Sequence, residues 1–208
     1  MSRAQQYPRL ILAVVCLPVF IGALDLTIVS AGLPEVIRSM TIEIQKLDVA
    51  GWVVTGYFVS YAISMTIMGR VSDIAGRRIV YLVCLAIFFV GSWLVAASPG
   101  WPAAVVQGVI QPFYADSLSD VAPLYALIVG RVIQAFGAGA MVPVSMALVA
   151  DLFPPEKRAL PLGIVGAVDT AGWVLGHLYG GIMVQFMSWP YLFWINLPVV
   201  FVIFCVTW

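Results

Sequence analysis

The run LILAVVCLPVFIGALDLTIVSAGL, residues 10–33, decides the fold class of this protein. It contains one charged side chain, Asp25. An α-helix of this length rises about 36 Å, which is enough to cross a hydrocarbon core about 30 Å thick. A cleaved signal peptide has a shorter apolar run and no acid inside it. The run is therefore predicted to span a membrane.

The composition of the whole chain agrees with this prediction. Of 208 residues, 62% are hydrophobic and 10% are charged, and the mean hydropathy is +1.05. Soluble domains average about 45–50% apolar and about 25% charged residues. A water-soluble enzyme or binding module is excluded, and the net charge of zero excludes polybasic nucleic-acid binding. Three scattered cysteines without CxxC spacing favour packing residues over a disulfide frame or a zinc site.

Six apolar runs are long enough to be spans. Each contains glycine, proline or polar residues, which is typical of helices that pack on one another. None alternates polar and apolar residues as barrel strands do. The chain is therefore predicted to be an all-α membrane protein, a six-transmembrane-helix bundle. The six spans are 10–33, 49–68, 79–97, 124–150, 160–186 and 191–207.

The basic residues predict the orientation of the bundle. The N-terminus and the even-numbered loops contain seven: Arg3, Arg9, Arg70, Arg77, Arg78, Lys157 and Arg158. The odd-numbered loops contain only Arg38 and Lys46. Because basic residues accumulate on the cytoplasmic side, both termini are expected there. The third loop, residues 98–123, has no basic residue and is expected to lie on the outer membrane surface.

Four ionisable residues fall inside predicted spans: Asp25, Arg131, Asp169 and His177. Such groups are costly in lipid and usually face a bundle interior or a wet cavity. One interpretation is structural, an ion pair or hydrogen bond that holds helix register. The other is functional, because a buried carboxylate near a cation is suited to load and release a proton. His177 has no second histidine or cysteine at ligand spacing, so no metal site is predicted.

Residues 69–78, GRVSDIAGRR, form a very short second loop. Gly76 is suited to the positive φ of a tight turn. Asp73 is expected to accept hydrogen bonds from helix-start amides, and the arginines to bridge to acids on neighbouring helices. The alternative is a solvated loop that only sets topology.

The fifth span is rich in glycine. Gly172, Gly176 and Gly180 recur every four residues, so they are expected to form a groove on one side of the helix, with Gly181 beside it. A second helix can rock or slide in such a groove, or can simply pack there without moving.

Together these motifs resemble the major facilitator superfamily, and most closely its fourteen-helix drug:proton antiporters. Residues 24–34 resemble the first-helix signature, 69–78 the signature loop, and 131–139 the fourth-helix motif. Residues 172–181 resemble the antiporter motif, and 194–198 the start of helix six. Departures are His177 in place of a proline, Ala135 in place of a glycine, and Asp169 as an extra acid.

The resemblance implies a 3+3 inverted repeat, half of a major facilitator fold. We expect repeat one at about 10–97 and repeat two at about 124–207, with 1–208 forming an N-terminal six-helix half. A C-terminal half of six or eight helices is expected in the same or another chain. An isolated half is expected to turn its cavity face, with Asp25 and Arg131, toward lipid.

The function implied is a secondary transporter, not an enzyme, that exports a small amphipathic or cationic solute in exchange for protons. It would need no cofactor and would lie in the plasma membrane. Expected roles are proton coupling in the cavity and a conformational latch. The coupling set is Asp25, Arg131, Gln134, Asp169 and His177. The latch set is Gly69, Arg70, Asp73, Gly76, Arg77, Arg78 and Asp151. The alternative is a non-transporting accessory subunit of a larger membrane complex.

Overall fold

The computed structural model describes residues 8–110 and 122–207, and these residues are helical apart from short connections. Two short 3₁₀ turns, Ile44–Lys46 and Pro155–Lys157, lie in the first and fourth loops. The helices are α1 (Pro8–Ser39), α2 (Leu47–Ala75), α3 (Arg77–Ala97), α4 (Trp101–Ile110), α5 (Ala122–Leu152), α6 (Ala159–Phe186), α7 (Tyr191–Trp194) and α8 (Asn196–Thr207).

Five of these helices, α1, α2, α3, α5 and α6, are long and apolar enough to cross a membrane. They coincide with the first five predicted spans, and most of them are longer than those spans at one or both ends. The prediction counted only the apolar run, whereas the helix continues through the polar residues that flank it. The sixth predicted span differs. Its residues are helical and apolar, but Ile195 interrupts them and leaves the short helices α7 and α8.

The third loop is not a plain surface loop over its described part. Residues 101–110 form α4, which packs against α5, and the ring of Trp101 lies 5.5 Å from that of Trp93 on α3. Residues 111–121 of this loop lie outside the described residues.

Three helix pairings dominate the packing. α1 lies along α6, and α5 lies between α2 and α3. If the first three spans are equivalent to the last three, the α1–α6 pair corresponds to the α5–α2 pair. This exchange of partners is what an inverted repeat produces.

The α5 pairings depend on small residues. A Cβ on Gly137 would lie 2.6 Å from the carbonyl oxygen of Cys84 and 2.8 Å from Cβ of Phe88. A Cβ on Gly91 of α3 would overlap the backbone of Gln134. Only glycine permits so close an approach of two helices, as is typical of membrane bundles.

The apolar interior consists of two clusters. One contains Val19, Leu85 and Met141, and the other contains Val29, Val95 and Leu127. Along α1, α3 and α5 the chain passes from one cluster to the other near Asp25, Ser92 and Arg131. These three buried polar side chains therefore lie at the level where the two clusters meet.

Candidate functional site

A buried ion pair joins α1 to α5. Nη1 of Arg131 donates to Oδ2 of Asp25 at 2.6 Å, and Nη2 lies 3.3 Å from the backbone oxygen of Asp25. Both residues are 0% exposed. Gly22, one turn before Asp25, faces Ala138 of α5 closely enough for the two helices to bring these side chains together. The sequence predicted the two as candidates, and the structure places them in contact.

Three amide and hydroxyl side chains complete the carboxylate's surroundings. Gln134 donates through Nε2 to Oδ1 of Asp25 at 3.1 Å and to Ser92 Oγ at 2.8 Å. Its Oε1 accepts from Nη1 of Arg131 at 2.8 Å. Asn196, at the start of α8, donates to the same Oδ1 at 3.2 Å. Side chains of α5 and α8 thus meet the carboxylate of α1, and Ser92 of α3 is linked to it through Gln134.

Aromatic rings cover the guanidinium. The Cζ atom of Arg131 lies 3.8 Å from the ring centroid of Tyr57 and 5.6 Å from that of Phe193. The hydroxyl of Tyr57 donates to the backbone oxygen of Gly22 at 3.4 Å. Aromatic faces attract cations, and the attraction is stronger where water is excluded. Nε of Arg131 has no hydrogen-bond partner among the described residues.

This arrangement can respond to a proton. A carboxylate accepts hydrogen bonds only, whereas a carboxylic acid also donates one. Protonation of Asp25 would remove the charge that holds Arg131 and convert one acceptor oxygen into a donor. Loss of the charge on Asp25 would leave the charge of Arg131 buried and uncompensated, which costs several kcal/mol of free energy. A change at Asp25 would therefore alter the packing of every helix that contacts it.

The other two predicted cavity residues lie elsewhere. Asp169 is partly buried on α6, and its Oδ1 has no partner among the described residues. His177 is exposed, and its Nδ1 lies 3.2 Å from the backbone oxygen of Trp173. The described contacts link neither side chain to the Asp25 network.

The expectation that an isolated half turns Asp25 and Arg131 toward lipid is wrong. Both are fully buried inside this half, because α2, α3 and α8 supply Tyr57, Ser92 and Asn196 around them. A carboxylate with this set of partners does not need a second half to shield it.

Arg77 is the centre of a second charged cluster at one end of the bundle. Its Nη2 lies 3.2 Å from Oδ1 of Asp73, and its Nε lies 3.0 Å from Oδ2 of Asp151 at the end of α5. The expected capping role of Asp73 is wrong for the described contacts, since its carboxylate accepts from Arg77. The turn before α3 needs Gly76, whose φ is +94°.

The remaining members of the predicted latch are dispersed. Gly69 faces Pro143 of α5. Arg78 donates through Nε to the backbone oxygen of Thr207 at 3.3 Å, which ties α3 to α8. Arg70 is exposed and pairs with no acid in the described part of the chain.

The predicted glycine groove contains α1. A Cβ on Gly172 would lie 2.7 Å from the Phe20 oxygen, and one on Gly180 would lie 2.7 Å from the Ile28 oxygen. Between them, a Cβ on Gly176 would overlap Thr27 Oγ1. Gly181 is not part of this groove, because a Cβ there would meet no atom within 4 Å. The groove thus packs closely against the stretch of α1 that contains Asp25.

Sequence reasoning missed Tyr57, Ser92, Asn196 and Phe193. Each lies in an otherwise apolar or aromatic stretch, and none is charged. A signal was available for Asn196, which is the only asparagine in the chain and is followed two residues later by a proline. No cluster of three or more potential metal ligands occurs in residues 8–110 and 122–207.

The bundle and its buried charges define the chain as part of a polytopic membrane protein of the transporter type. Residues 15–208 match the model of the Major Facilitator Superfamily, and the chain belongs to that family. The family and its named relatives support a transporter rather than an enzyme.

The curated relatives are considerably longer than this chain. The triacylglyceride transporter of Mycobacteroides abscessus is 36% identical over 183 residues, which cover 88% of this chain and 31% of the relative. The triacylglyceride transporter of Mycobacterium tuberculosis is also 36% identical, with 88% and 32% covered. The chain thus spans about a third of the length of these relatives.

Solved structures show the same fold. The proton:xylose symporter XylE bound to 6-bromo-6-deoxy-D-glucose matches with a TM-score of 0.76 at 15% identity, covering 97% of this chain and 44% of that one. The inward-open xylose transporter XylE from E. coli matches with a TM-score of 0.73 at 16% identity, covering 97% and 47%. The fold is therefore half of a major facilitator fold.

Proposed function

We propose that this chain is the N-terminal half of a proton-coupled transporter that exports amphipathic solutes by alternating access. The observation that carries the proposal is the fully buried Asp25–Arg131 pair, an ionisable centre that side chains of α2 and α8 also contact. A C-terminal half, in the same or another polypeptide, completes the pathway. The protein lies in the plasma membrane with both termini in the cytoplasm.

The proton acts at Asp25. In its charged form Asp25 joins α1 to α5 through Arg131, and to α8 through Asn196. Protonation weakens the first of these links, and Arg131 keeps Gln134 and the Tyr57 ring as neighbours. The helices then repack, and release of the proton on the other side restores the pair.

The curated relatives bear on the class of solute. They are named triacylglyceride transporters, which favours a substrate with a large apolar part over a small cation. We therefore extend the expected amphipathic solute to acylglycerol-like lipids.

Arg77 biases the conformational equilibrium. It bridges the end of α2 to the end of α5, so it stabilises the arrangement in which these two ends are together. In the opposite state the ends separate and the bridge is lost. Contacts made in one state alone shift such an equilibrium, typically by about 1–3 kcal/mol.

The test is gradient-driven transport by the full-length protein in lipid vesicles, with a fluorescent triacylglyceride and ethidium as probes. Asp25→Asn is compared with Asp169→Asn, a second acid within a span whose described contacts do not reach Arg131. Asp25→Asn should abolish uphill movement of whichever probe the wild type transports, and downhill exchange should persist. Asp169→Asn should keep at least half of the wild-type rate.

Other outcomes have distinct meanings. Uphill transport retained in Asp25→Asn but lost in Asp169→Asn would move the coupling site to α6. Full activity in both variants would exclude coupling at either carboxylate. Absence of movement of either probe in the wild type would favour the accessory-subunit function.

A further inference from the structure

Asn196 occupies an unusual place in the chain. It is the first residue of α8 and directly follows the interruption at Ile195. Pro198 explains the interruption, because it has no N–H to donate to the carbonyl of Trp194. Ile195 itself keeps helical torsion angles, φ −65° and ψ −30°, and the Asn196 side chain that follows it is buried in the bundle, 6% exposed.

The two oxygens of Asp25 are held differently. Oδ2 accepts from the guanidinium of Arg131, whereas Oδ1 accepts from two amides, those of Gln134 and Asn196. The Gln134 amide is already committed to Ser92 and Arg131. The Asn196 amide, in the described part of the chain, donates to Asp25 alone.

Few other titratable groups face this carboxylate. α5 supplies Arg131, and α2 supplies Tyr57. α6 faces α1 here with Gly172 and Gly176, and no described contact joins its acid, Asp169, to Asp25. The partners that α3 and α8 contribute, Ser92 and Asn196, do not titrate. A change in the pH response after substitution of Asn196 can therefore be attributed to Asp25.

We propose that Asn196 is a positioning residue for proton coupling: its amide selects the carboxylate form of Asp25 and connects the sixth span to the protonation of the first. The inference rests on the proposed function of Asp25. An amide donor stabilises the charged oxygen more than the neutral one. Removing the donor therefore lets Asp25 hold its proton to higher pH.

The experiment follows the infrared C=O stretching band of protonated Asp25 as pH is stepped in the full-length protein in vesicles. Asp25→Asn identifies the band. Asn196→Leu, which is close in size, should move the titration midpoint upward by about one to two pH units, the equivalent of one hydrogen bond to a charged group. The pH profile of ethidium or triacylglyceride transport should move with it.

Ser60→Ala is the matched control, since Ser60 is buried and donates to the backbone oxygen of Val132 at 2.7 Å instead of to Asp25. It should leave the midpoint in place. If Asn196→Leu does not insert, Asn196→Ser serves, because its shorter side chain cannot span the same distance. A midpoint unchanged in the Asn196 variant would overturn the inference while leaving Asp25 as the coupling site. If no band depends on Asp25, the proposed function fails, and this inference fails with it.

Discussion

Asp25 and Arg131 depend on each other because neither has water to replace its partner. A charge left alone in a buried site costs several kcal/mol, whereas an exposed pair is worth at most about 1 kcal/mol. The chain contains both cases. Glu35 and Arg38 also form an ion pair on α1, but the Arg38 side chain is 81% exposed.

These two pairs make a direct comparison of stability. Arg131→Gln should lower the free energy of unfolding in mild detergent by about 3–5 kcal/mol, because it leaves the Asp25 carboxylate without its counter-charge. Adding Asp25→Asn should recover part of the loss. Arg38→Gln should cost less than about 1 kcal/mol. Equal losses from Arg131→Gln and Arg38→Gln would contradict the view that burial makes the difference.

Arg77 provides a test of conformational bias at the level of one residue. Arg77→Ala should change the ratio of inward-open to outward-open protein about five-fold or more, measured by labelling from each side, and should slow transport. Lys157→Ala is the control, since Lys157 is exposed near the same end and pairs with no acid in the described part of the chain. If the two variants behave alike, net charge at this end matters and the Arg77 bridge does not.

At the scale of helices, the groove on α6 determines how closely α1 approaches. Gly176→Ala places a methyl group onto Thr27 and Leu24, whereas Gly181→Ala places one in open space. The first should cost about 1–3 kcal/mol of unfolding free energy. The second should be neutral or slightly stabilising, because alanine favours helix over glycine. Thermal unfolding in detergent measures both, and a stable Gly176→Ala variant would show that the two helices separate freely.

The same scale shows what the sequence could predict. Hydrophobic length placed the five long helices, because a span is a property of consecutive residues. Glycine spacing predicted the groove from Gly172, Gly176 and Gly180, because residues four apart lie on one side of a helix, whereas Gly181 falls outside that row and meets no atom within 4 Å. The pairing of Asn196 and Ser92 with Asp25 and Gln134 could not be predicted, because it joins residues as far as 171 positions apart.

For the whole molecule, contacts between helix ends show which loops share a side. Trp189 donates to Ser39 at 2.9 Å, so the first and fifth loops lie at one end. Arg77 meets Asp151, and Arg78 meets Thr207, so the second loop, the fourth loop and the end of α8 lie at the other. Arg38 and Lys46, at the first end, are each paired with a glutamate. The unbalanced basic residues are thus concentrated at the second end.

Because basic loops stay in the cytoplasm, the end with Arg77 should face inward. Two exposed acids, Glu43 in the first loop and Glu156 in the fourth, provide labelling sites at opposite ends. Each is changed to cysteine in a background in which Cys16, Cys84 and Cys205 are replaced. A membrane-impermeant maleimide should label Glu43→Cys on intact cells, and Glu156→Cys only after permeabilisation. The reverse pattern would invert the proposed topology, and labelling of both sites on intact cells would contradict the separation of the two ends.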